Sequence, residues 1–359
     1  MRMYSSSQVC RIHVELTTRC NAACPMCPRM RSGGLPNPNL PLTELTLADF
    51  SVLFPPTLLR SMRQFLFCGN YGDALTARDL LPILEYLKTE QPGLRIKLVT
   101  NGSGRDKAFW TRLARLVTMV RFSIDGLEDT NAIYRRRTNW NRILQSVRTY
   151  CEAGGCAEWD FLVFRHNEHQ IEQAQKLAAS LGVAVFHVKK SQRFLVEGRP
   201  QNRFPVLLPD GRVDCFLEMP GGSEHTNKSF LDFSRLGERG QTYDAYLHTT
   251  TIACKAVRDQ QVYVSATGHM FPCCWLGQIY ESWPSPMAEE ILARLAELPG
   301  GLSDLDLRQH SFAEIIDGPF FQHWVGGGFA PSSPLRLSAC ARMCGEIDSH
   351  SRQWERAPS

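Results

Sequence analysis

Three cysteines lie close together near the start of the chain, in the stretch RCNAACPMCPRM of residues 19–30. Cys20, Cys24 and Cys27 have the spacing Cys-x3-Cys-x2-Cys, and no further cysteine or histidine follows Cys27 nearby. Thiolates at this density select zinc or an iron–sulfur cluster. Structural zinc sites and ferredoxin-type clusters both use four protein ligands. Three thiolates can instead hold a four-iron cubane whose fourth iron stays open to a substrate or cofactor, so an open cluster and zinc are the two interpretations.

A second set of cysteines lies toward the C-terminal end and consists of Cys254, Cys273, Cys340 and Cys344. The stretch of residues 262–274 between them reads as a hairpin, with a glycine at position 268. Four thiolates can close around one metal, so this site contrasts with the first and includes a zinc ribbon among its interpretations. Cys274 is an alternative ligand to Cys273, and Cys215 is a candidate for a second, incomplete cluster.

The first cysteine group must be positioned by the strand that precedes it. Six β-rich runs alternate with amphipathic helical segments, at residues 11–17, 64–68, 95–100, 120–125, 159–164 and 183–188. Parallel neighbours require a crossover, which the helices supply, so the pattern predicts a parallel α/β sheet. Such a sheet, open or rolled into an incomplete barrel, places its ligand at the carboxyl ends of the strands. The cysteine loop begins at such an end.

Residues 11–190 resemble the radical S-adenosylmethionine (SAM) enzymes, whose signature is Cys-x3-Cys-x2-Cys after the first strand of a partial (βα)6 barrel. The resemblance implies that Cys20, Cys24 and Cys27 bind a catalytic [4Fe-4S] cluster and that SAM chelates its open iron. It further implies that a reduced cluster cleaves SAM to a 5′-deoxyadenosyl radical, which abstracts hydrogen from a substrate.

Further positions match this family's SAM-binding motifs. After the second strand, Gly72-Asp73 stands where the family has Gly-Glu-Pro, the motif that holds the SAM amino group. The carboxylate is kept, one methylene shorter, and the proline is absent.

Polar residues after the later strands complete this resemblance. Ser123 and Asp125 occupy the family's ribose-binding position, and Arg135 falls where related enzymes pair an arginine with the SAM carboxylate. Asn167 follows the fifth strand, where the family often has a polar contact near the adenine. Asn167 can also cap the next helix.

The C-terminal cysteines resemble the SPASM and twitch extensions of radical SAM enzymes, which bind auxiliary clusters. Four well-placed cysteines imply the twitch form, with one auxiliary [4Fe-4S] cluster. We therefore expect a radical SAM partial barrel over residues 11–190, a bridging segment with loops over 191–250, and a smaller α+β SPASM/twitch-like domain over 251–346.

The composition restricts the class of protein further. The 359 residues carry a formal net charge of +4 that is spread along the chain, and the densest basic run holds three arginines, at positions 135–137. Phosphate tracking needs clustered basic residues, so nucleic-acid binding is not expected. No apolar run approaches a membrane span and no signal peptide is recognisable, so we expect a cytoplasmic protein without membrane contact.

The resemblance implies hydrogen abstraction from a peptide or protein side chain, with flavodoxin or ferredoxin as electron donor. The long loop region and a wide barrel favour a peptide. One auxiliary cluster, and only ten residues before the first strand, favour the alternative of dehydrogenating a small aminocyclitol or sugar alcohol. A third hypothesis is a non-catalytic, metal-stabilised binding protein, which the missing fourth ligand near Cys27 argues against.

Overall fold

The computed structural model describes residues 3–196, 199–281 and 285–347, and contacts divide the chain into two units. The unit that we name the barrel unit comprises Val14–Ser191 and Asn202–Thr226. The C-terminal unit comprises Met1–His13, Gln192–Gln201 and Asn227–Ser359. The segment 191–250, expected to form one bridge, is therefore shared between both units.

The strands in the described residues are, in chain order, β1 (Arg11–Val14), β2 (Met30–Arg31), β3 (Leu35–Pro36), β4 (Gln64–Phe67), β5 (Arg95–Thr100), β6 (Met119–Ser123), β7 (Ala157–Val163), β8 (Val185–Lys190), β9 (Leu195–Val196), β10 (Arg199–Pro200), β11 (Arg203–Leu207), β12 (Val213–Glu218), β13 (Gln261–Val264) and β14 (Met270–Phe271). The α-helices are α1 (Leu47–Leu53), α2 (Pro56–Leu59), α3 (Leu80–Glu90), α4 (Lys107–Leu116), α5 (Asn131–Tyr134), α6 (Trp140–Glu152), α7 (Ile171–Ser180), α8 (Lys228–Ser234), α9 (Tyr243–Thr249), α10 (Lys255–Asp259), α11 (Pro286–Ala296), α12 (Phe312–Asp317) and α13 (Ser338–Cys344).

The barrel unit is built on parallel strands. β4, β5, β6, β7 and β8 pair in chain order, each parallel to the next. At the end of β1, the carbonyl of Val14 accepts a hydrogen bond from the Cys68 N–H at 3.3 Å. Helices α3, α4, α6 and α7 supply the crossovers. All six predicted strands are present, and the predicted α/β class is confirmed.

Helices α4 and α6 cover one face of this sheet. Their Trp110 and Tyr150 rings lie 5.4 and 6.0 Å from the ring of Phe122 on β6. Burying each such ring contributes roughly 1.5–3 kcal/mol. Because side chains alternate along a strand, Arg121 and Ser123 point to the opposite face. We name this opposite face of β6, β7 and β8 the inner face.

The C-terminal unit contains the predicted hairpin, in which β13 pairs antiparallel with β14. The N-terminal segment joins this unit, since the Tyr4 hydroxyl donates to the Gln261 carbonyl at 2.6 Å. Helix α11 also belongs to this unit. Among the described helices, none combines the length and the apolar character that a bilayer crossing requires.

Candidate active site

The first cysteine group lies on the loop that follows β1. Cys24 is buried, and Cys20 and Cys27 are half-buried. The loop folds back on itself, with the Cys27 N–H donating to the Cys24 carbonyl at 3.1 Å. Burial and the charges of Asp73 and the neighbouring thiols raise the pKa of Cys20. Burial also raises the pKa of Cys24, against the opposing effect of Arg135. The three thiols lie within electrostatic reach of one another, and a bound metal would keep them deprotonated.

A tight turn after β4 packs closely against the cysteine loop. The carboxylate of Glu15 is 2% exposed and accepts hydrogen bonds from the backbone N–H groups of Tyr71 and Gly72, at 2.7 and 2.6 Å. A Cβ atom on Gly72 would lie 1.7 Å from the carbonyl oxygen of Thr17, so only glycine fits there. Glu15 was not predicted as a site residue, and its only signal is a charged residue inside the β-rich run of residues 11–17.

Asp73 follows this turn and joins the loop to the end of β5. Its buried carboxylate accepts hydrogen bonds from the Leu75 N–H at 3.1 Å, the Thr100 hydroxyl at 2.8 Å, the Asn101 N–H at 2.8 Å and the Asn101 Nδ2 at 2.7 Å. These donors occupy about as many positions as a carboxylate offers. Burial raises the pKa of Asp73 against the effect of these hydrogen bonds, and its lone pairs are used within the chain.

Asn101 carries the connection to the cysteines. Its Nδ2 donates to the Asn21 side-chain oxygen at 2.8 Å and lies 3.8 Å from the Cys20 sulfur. Asn21 in turn donates to the carbonyl of Ser103. The cysteine loop is therefore held to the ends of β4 and β5 by a continuous hydrogen-bond network. Neither asparagine was predicted as a site residue.

Asp125 and Arg135 form a buried ion pair. Arg135 Nε donates to one oxygen of Asp125 at 2.5 Å, and the other oxygen accepts from the Leu162 N–H at 2.7 Å. Arg135 Nη1 lies 3.8 Å from the sulfur of Cys24. Although burial opposes it, the charges of Asp125 and Cys24 raise the pKa of Arg135, so the guanidinium stays positive beside the thiols. Asp125 was expected to bind the ribose of SAM, but both of its carboxylate oxygens accept hydrogen bonds from Arg135 and Leu162.

The other two predicted SAM-binding residues differ in whether their side chains can still form hydrogen bonds with a ligand. The half-exposed hydroxyl of Ser123 makes no hydrogen bond with any residue in the described part of the chain. Asn167 is fully buried; its Nδ2 donates to the carbonyls of Asp125 and Leu162, at 2.8 and 2.9 Å, and its oxygen accepts from Phe164. Asn167 therefore fixes the backbone after β7, while Ser123 can bond a ligand.

His166 lies at the same strand end and was not predicted. Its ring stacks on Phe164, with centroids 5.3 Å apart and planes at 10°. Burial, with a smaller effect of His169, lowers the pKa of His166 to about 4, so the imidazole is neutral near pH 7. Its buried Nε2 has no hydrogen-bond partner among the described residues. The sequence signal was an aromatic pair at i and i+2 after a strand.

The second cysteine group belongs to the C-terminal unit. Cys254 immediately precedes α10, Cys273 follows β14, and Cys340 and Cys344 lie on α13. Burial raises the pKa of Cys273 and that of Cys340, and the other thiols of the group add to both shifts. The fold therefore brings four thiols from three separate segments into electrostatic reach.

Two residues near this group were not predicted. Arg336 is 6% exposed, and its guanidinium donates to the carbonyls of Leu247, Thr250 and Ala330. It forms no ion pair with any carboxylate in the described ranges. Burial lowers the pKa of Arg336, and the charges of Cys340 and Tyr246 act against that effect. Tyr4 is also buried here, and burial with the charges of Cys254 and Cys273 raises its pKa.

The two alternative ligands lie in different surroundings. Cys274 adjoins Cys273 and is half-buried, whereas Cys215 lies on β12 of the barrel unit and is exposed. Across residues 3–196, 199–281 and 285–347, no three histidine, cysteine, aspartate or glutamate side chains form a site for a single metal ion.

Part of this architecture matches a known protein family. The profile of the Radical SAM superfamily matches residues 14–178, which contain the cysteine loop and the carboxyl ends of β1, β4, β5, β6 and β7. This segment of the chain is similar to the Radical SAM superfamily. No curated protein matches the sequence of the chain.

Solved structures share the fold of this chain over nearly its whole length. Native anSMEcpe with bound AdoMet is 12% identical, with a TM-score of 0.55, and the match covers 96% of this chain and 95% of that one. SuiB from Streptococcus suis bound to S-adenosylmethionine is 11% identical, with a TM-score of 0.50, covering 92% and 76%. The predicted partial barrel with a C-terminal extension is thereby confirmed as the fold.

Proposed function

We propose that Cys20, Cys24 and Cys27 bind a [4Fe-4S] cluster whose open iron is chelated by SAM. When bound, the reduced cluster and SAM supply a 5′-deoxyadenosyl radical that abstracts hydrogen from the substrate. The observation that carries this proposal is the placement of three thiols on one loop, with Asp73 and Arg135 tied to that loop from the strand ends. Such a loop lacks the fourth ligand of a structural zinc site.

The chain's own residues would position SAM. The negative charge of Asp73 attracts the SAM ammonium, although its lone pairs are filled by Thr100 and Asn101. The positive charge of Arg135 suits a carboxylate, and its pairing with Asp125 fixes its direction. The hydroxyl of Ser123 is available to a ribose. The roles of Gly72 and Asn167 are then to hold the backbone that presents these groups.

Cys254, Cys273, Cys340 and Cys344 would bind one auxiliary [4Fe-4S] cluster. Arg336 supports an anionic occupant, since a buried guanidinium hydrogen-bonded only to carbonyls needs a negative charge nearby. A cluster held by four thiolates carries such a charge. Its potential would depend on these surroundings.

We propose a peptide or protein side chain as the substrate. SuiB, whose fold this chain resembles with a TM-score of 0.50 at 11% identity, has been solved bound to its precursor peptide SuiA. An aminocyclitol or sugar alcohol is the alternative, which rests on the single auxiliary cluster. Flavodoxin or ferredoxin is the proposed electron donor.

The test is anaerobic reconstitution of the purified chain with iron and sulfide. We expect about eight irons per chain, four for each cluster, and formation of 5′-deoxyadenosine when dithionite and SAM are added. Mass spectrometry of candidate precursor peptides and cyclitols then identifies the product. A protein that carries zinc and no iron, or iron without SAM cleavage, would contradict the proposal.

A further inference from the structure

Charged side chains cover part of the inner face of the barrel unit. The strand register places Arg121 of β6 beside Glu158 of β7, and Asp160 of β7 beside His187 of β8. Lys189 lies two residues further along β8. Each of these side chains is between 6% and 12% exposed. Buried charges are rare unless they are paired or used, so each needs a partner.

Glu158 has its partners within this cluster. Arg121 donates to its carboxylate, and His187 Nε2 lies 3.1 Å from the same oxygen. Burial would raise the pKa of Glu158, but these hydrogen bonds lower it to about 2. Glu158 is therefore a satisfied structural charge.

Asp160 is different. Both of its carboxylate oxygens are buried, and neither accepts a hydrogen bond from any residue that the structure describes. Arg121 Nε and Lys189 Nζ lie 3.6 and 3.8 Å from Oδ1, which gives attraction without a hydrogen bond. Burial raises the pKa of Asp160 despite these cations. A buried acceptor without a donor costs about 1–3 kcal/mol, so its retention calls for an explanation.

The position of Asp160 in the sheet supplies this explanation. Asp160 pairs in register with Ser123, whose hydroxyl also has no partner in the described ranges. The Asp160 carbonyl accepts from the Ile124 N–H at 3.1 Å, directly before Asp125. Asp125 binds Arg135, which contacts the Cys24 sulfur. Two polar groups without hydrogen-bond partners in the described ranges thus lie side by side. Ser123 precedes Asp125 by two residues, and Asp125 forms the ion pair that contacts the cysteine loop.

We propose that Asp160, which lies beside the Ser123 hydroxyl assigned above to the SAM ribose, accepts hydrogen bonds from a hydroxyl or ammonium group of the substrate. The inference rests on the proposed function and deepens it: the portion of the substrate held at the inner face carries an O–H or N–H donor rather than an apolar side chain. Arg121 and Lys189 keep the carboxylate from repelling the other acidic groups of the site, while leaving its lone pairs open.

The probes are small donors titrated into reconstituted holoenzyme in the presence of SAM. Ethanolamine carries both donor types, 2-deoxystreptamine represents a cyclitol, and N-acetyl-serine amide and N-acetyl-lysine amide represent peptides. N-acetyl-norvaline amide, which has the same backbone amides as the peptide probes but an apolar side chain, is the control. We expect millimolar dissociation constants for the donors, measured by saturation-transfer NMR, because one charge-assisted hydrogen bond carries most of the binding.

The decisive variant is Asp160→Asn, which keeps the shape and removes the charge. We expect its affinity for the donor probes to fall about tenfold, as loss of a charged hydrogen bond predicts. Its melting temperature should equal or exceed that of the wild type, because the charge of Asp160 is disfavoured by burial. Glu128→Gln, at an exposed carboxylate, is the matched control and should bind like the wild type.

Three results would overturn the inference: no saturable binding of any donor probe to the wild type, equal binding to Asp160→Asn, or equal binding of N-acetyl-norvaline amide. Whichever donor binds most tightly indicates whether the source is a cyclitol or a peptide. Formation of 5′-deoxyadenosine by the wild type without probe is measured on the same preparation. Its absence, with Asp160-dependent binding retained, would refute the proposed function and leave this site intact.

Discussion

The two cysteine groups differ in how many segments of the chain supply their thiols. Cys20, Cys24 and Cys27 come from one loop, whereas the C-terminal group draws thiols from three segments between residues 254 and 344. Near the first group, Arg135 is neutralised by a carboxylate. Near the second, Arg336 bonds, among the residues that the structure describes, only to carbonyls. We expect the first site to accept further ligands. The second offers four thiols and a cation suited to an enclosed anion.

The largest expected effect comes from removing one thiol in each group. Cys24→Ala should abolish 5′-deoxyadenosine formation and leave about four irons per chain, because only the C-terminal cluster assembles. Cys340→Ala should also leave about four irons, yet still cleave SAM. Iron analysis and chromatography of the nucleoside check both expectations.

Two matched controls belong to this comparison. Cys156→Ser removes an exposed thiol, and Cys274→Ser removes the neighbour of Cys273. Both variants should retain about eight irons. If Cys274→Ser loses four irons while Cys273→Ser retains them, the assignment of these two ligands must be exchanged.

The next effect concerns the ion pair beside the open site. Arg135→Gln leaves the carboxylate of Asp125, 1% exposed, without its counter-charge and should lower the free energy of unfolding by about 3–5 kcal/mol. It should also weaken SAM binding. Arg165→Gln breaks an ion pair whose arginine is 58% exposed, and it should cost under about 1 kcal/mol. Equal costs in denaturant titrations of the two variants would show that the Asp125 pair has no special role.

A smaller effect is expected at the turn that presses on the cysteine loop. In Gly72→Ala, the new methyl group would lie 1.7 Å from the Thr17 carbonyl oxygen, so the loop must shift. We expect a loss of about 1–3 kcal/mol and incomplete filling of the first cluster. Gly93→Ala, whose Cβ would come no nearer than 3.9 Å to another atom, should stay within about 0.5 kcal/mol. Full iron content in Gly72→Ala would argue that the turn does not position the thiols.

The smallest effect concerns the buried cation near the closed site. Arg336→Gln should lower the midpoint potential of the auxiliary cluster by tens of millivolts, because a nearby positive charge favours the more negative, reduced state. Arg336→Lys keeps the charge and should restore most of this shift. Potentiometric titration followed by electron paramagnetic resonance measures it. The same shift in both variants would assign Arg336 a purely structural role.

The strands and the cysteine loop could be predicted because their signals are local. Alternating β-rich runs and amphipathic helices lie within short windows, and Cys20 to Cys27 spans a single loop. Glu15, Asn101 and Asp160 could not be predicted in the same way, because their roles depend on partners from other strands. A charged residue inside a β-rich run was the only local sign of Glu15 and Asp160.

The amino-acid sequence by itself determined the candidate metal ligands, the alternation of strands and helices, and the strand ends at which polar groups gather. Only the tertiary structure decided which polar groups are used within the chain. The side chains of Asp73, Asp125 and Asn167 form hydrogen bonds with the backbone and with neighbouring side chains. Those of Ser123 and Asp160 form none with the residues that the structure describes. The reason is physical: a hydrogen bond requires two groups within about 3 Å, and strand register, rather than spacing along the chain, sets that distance here.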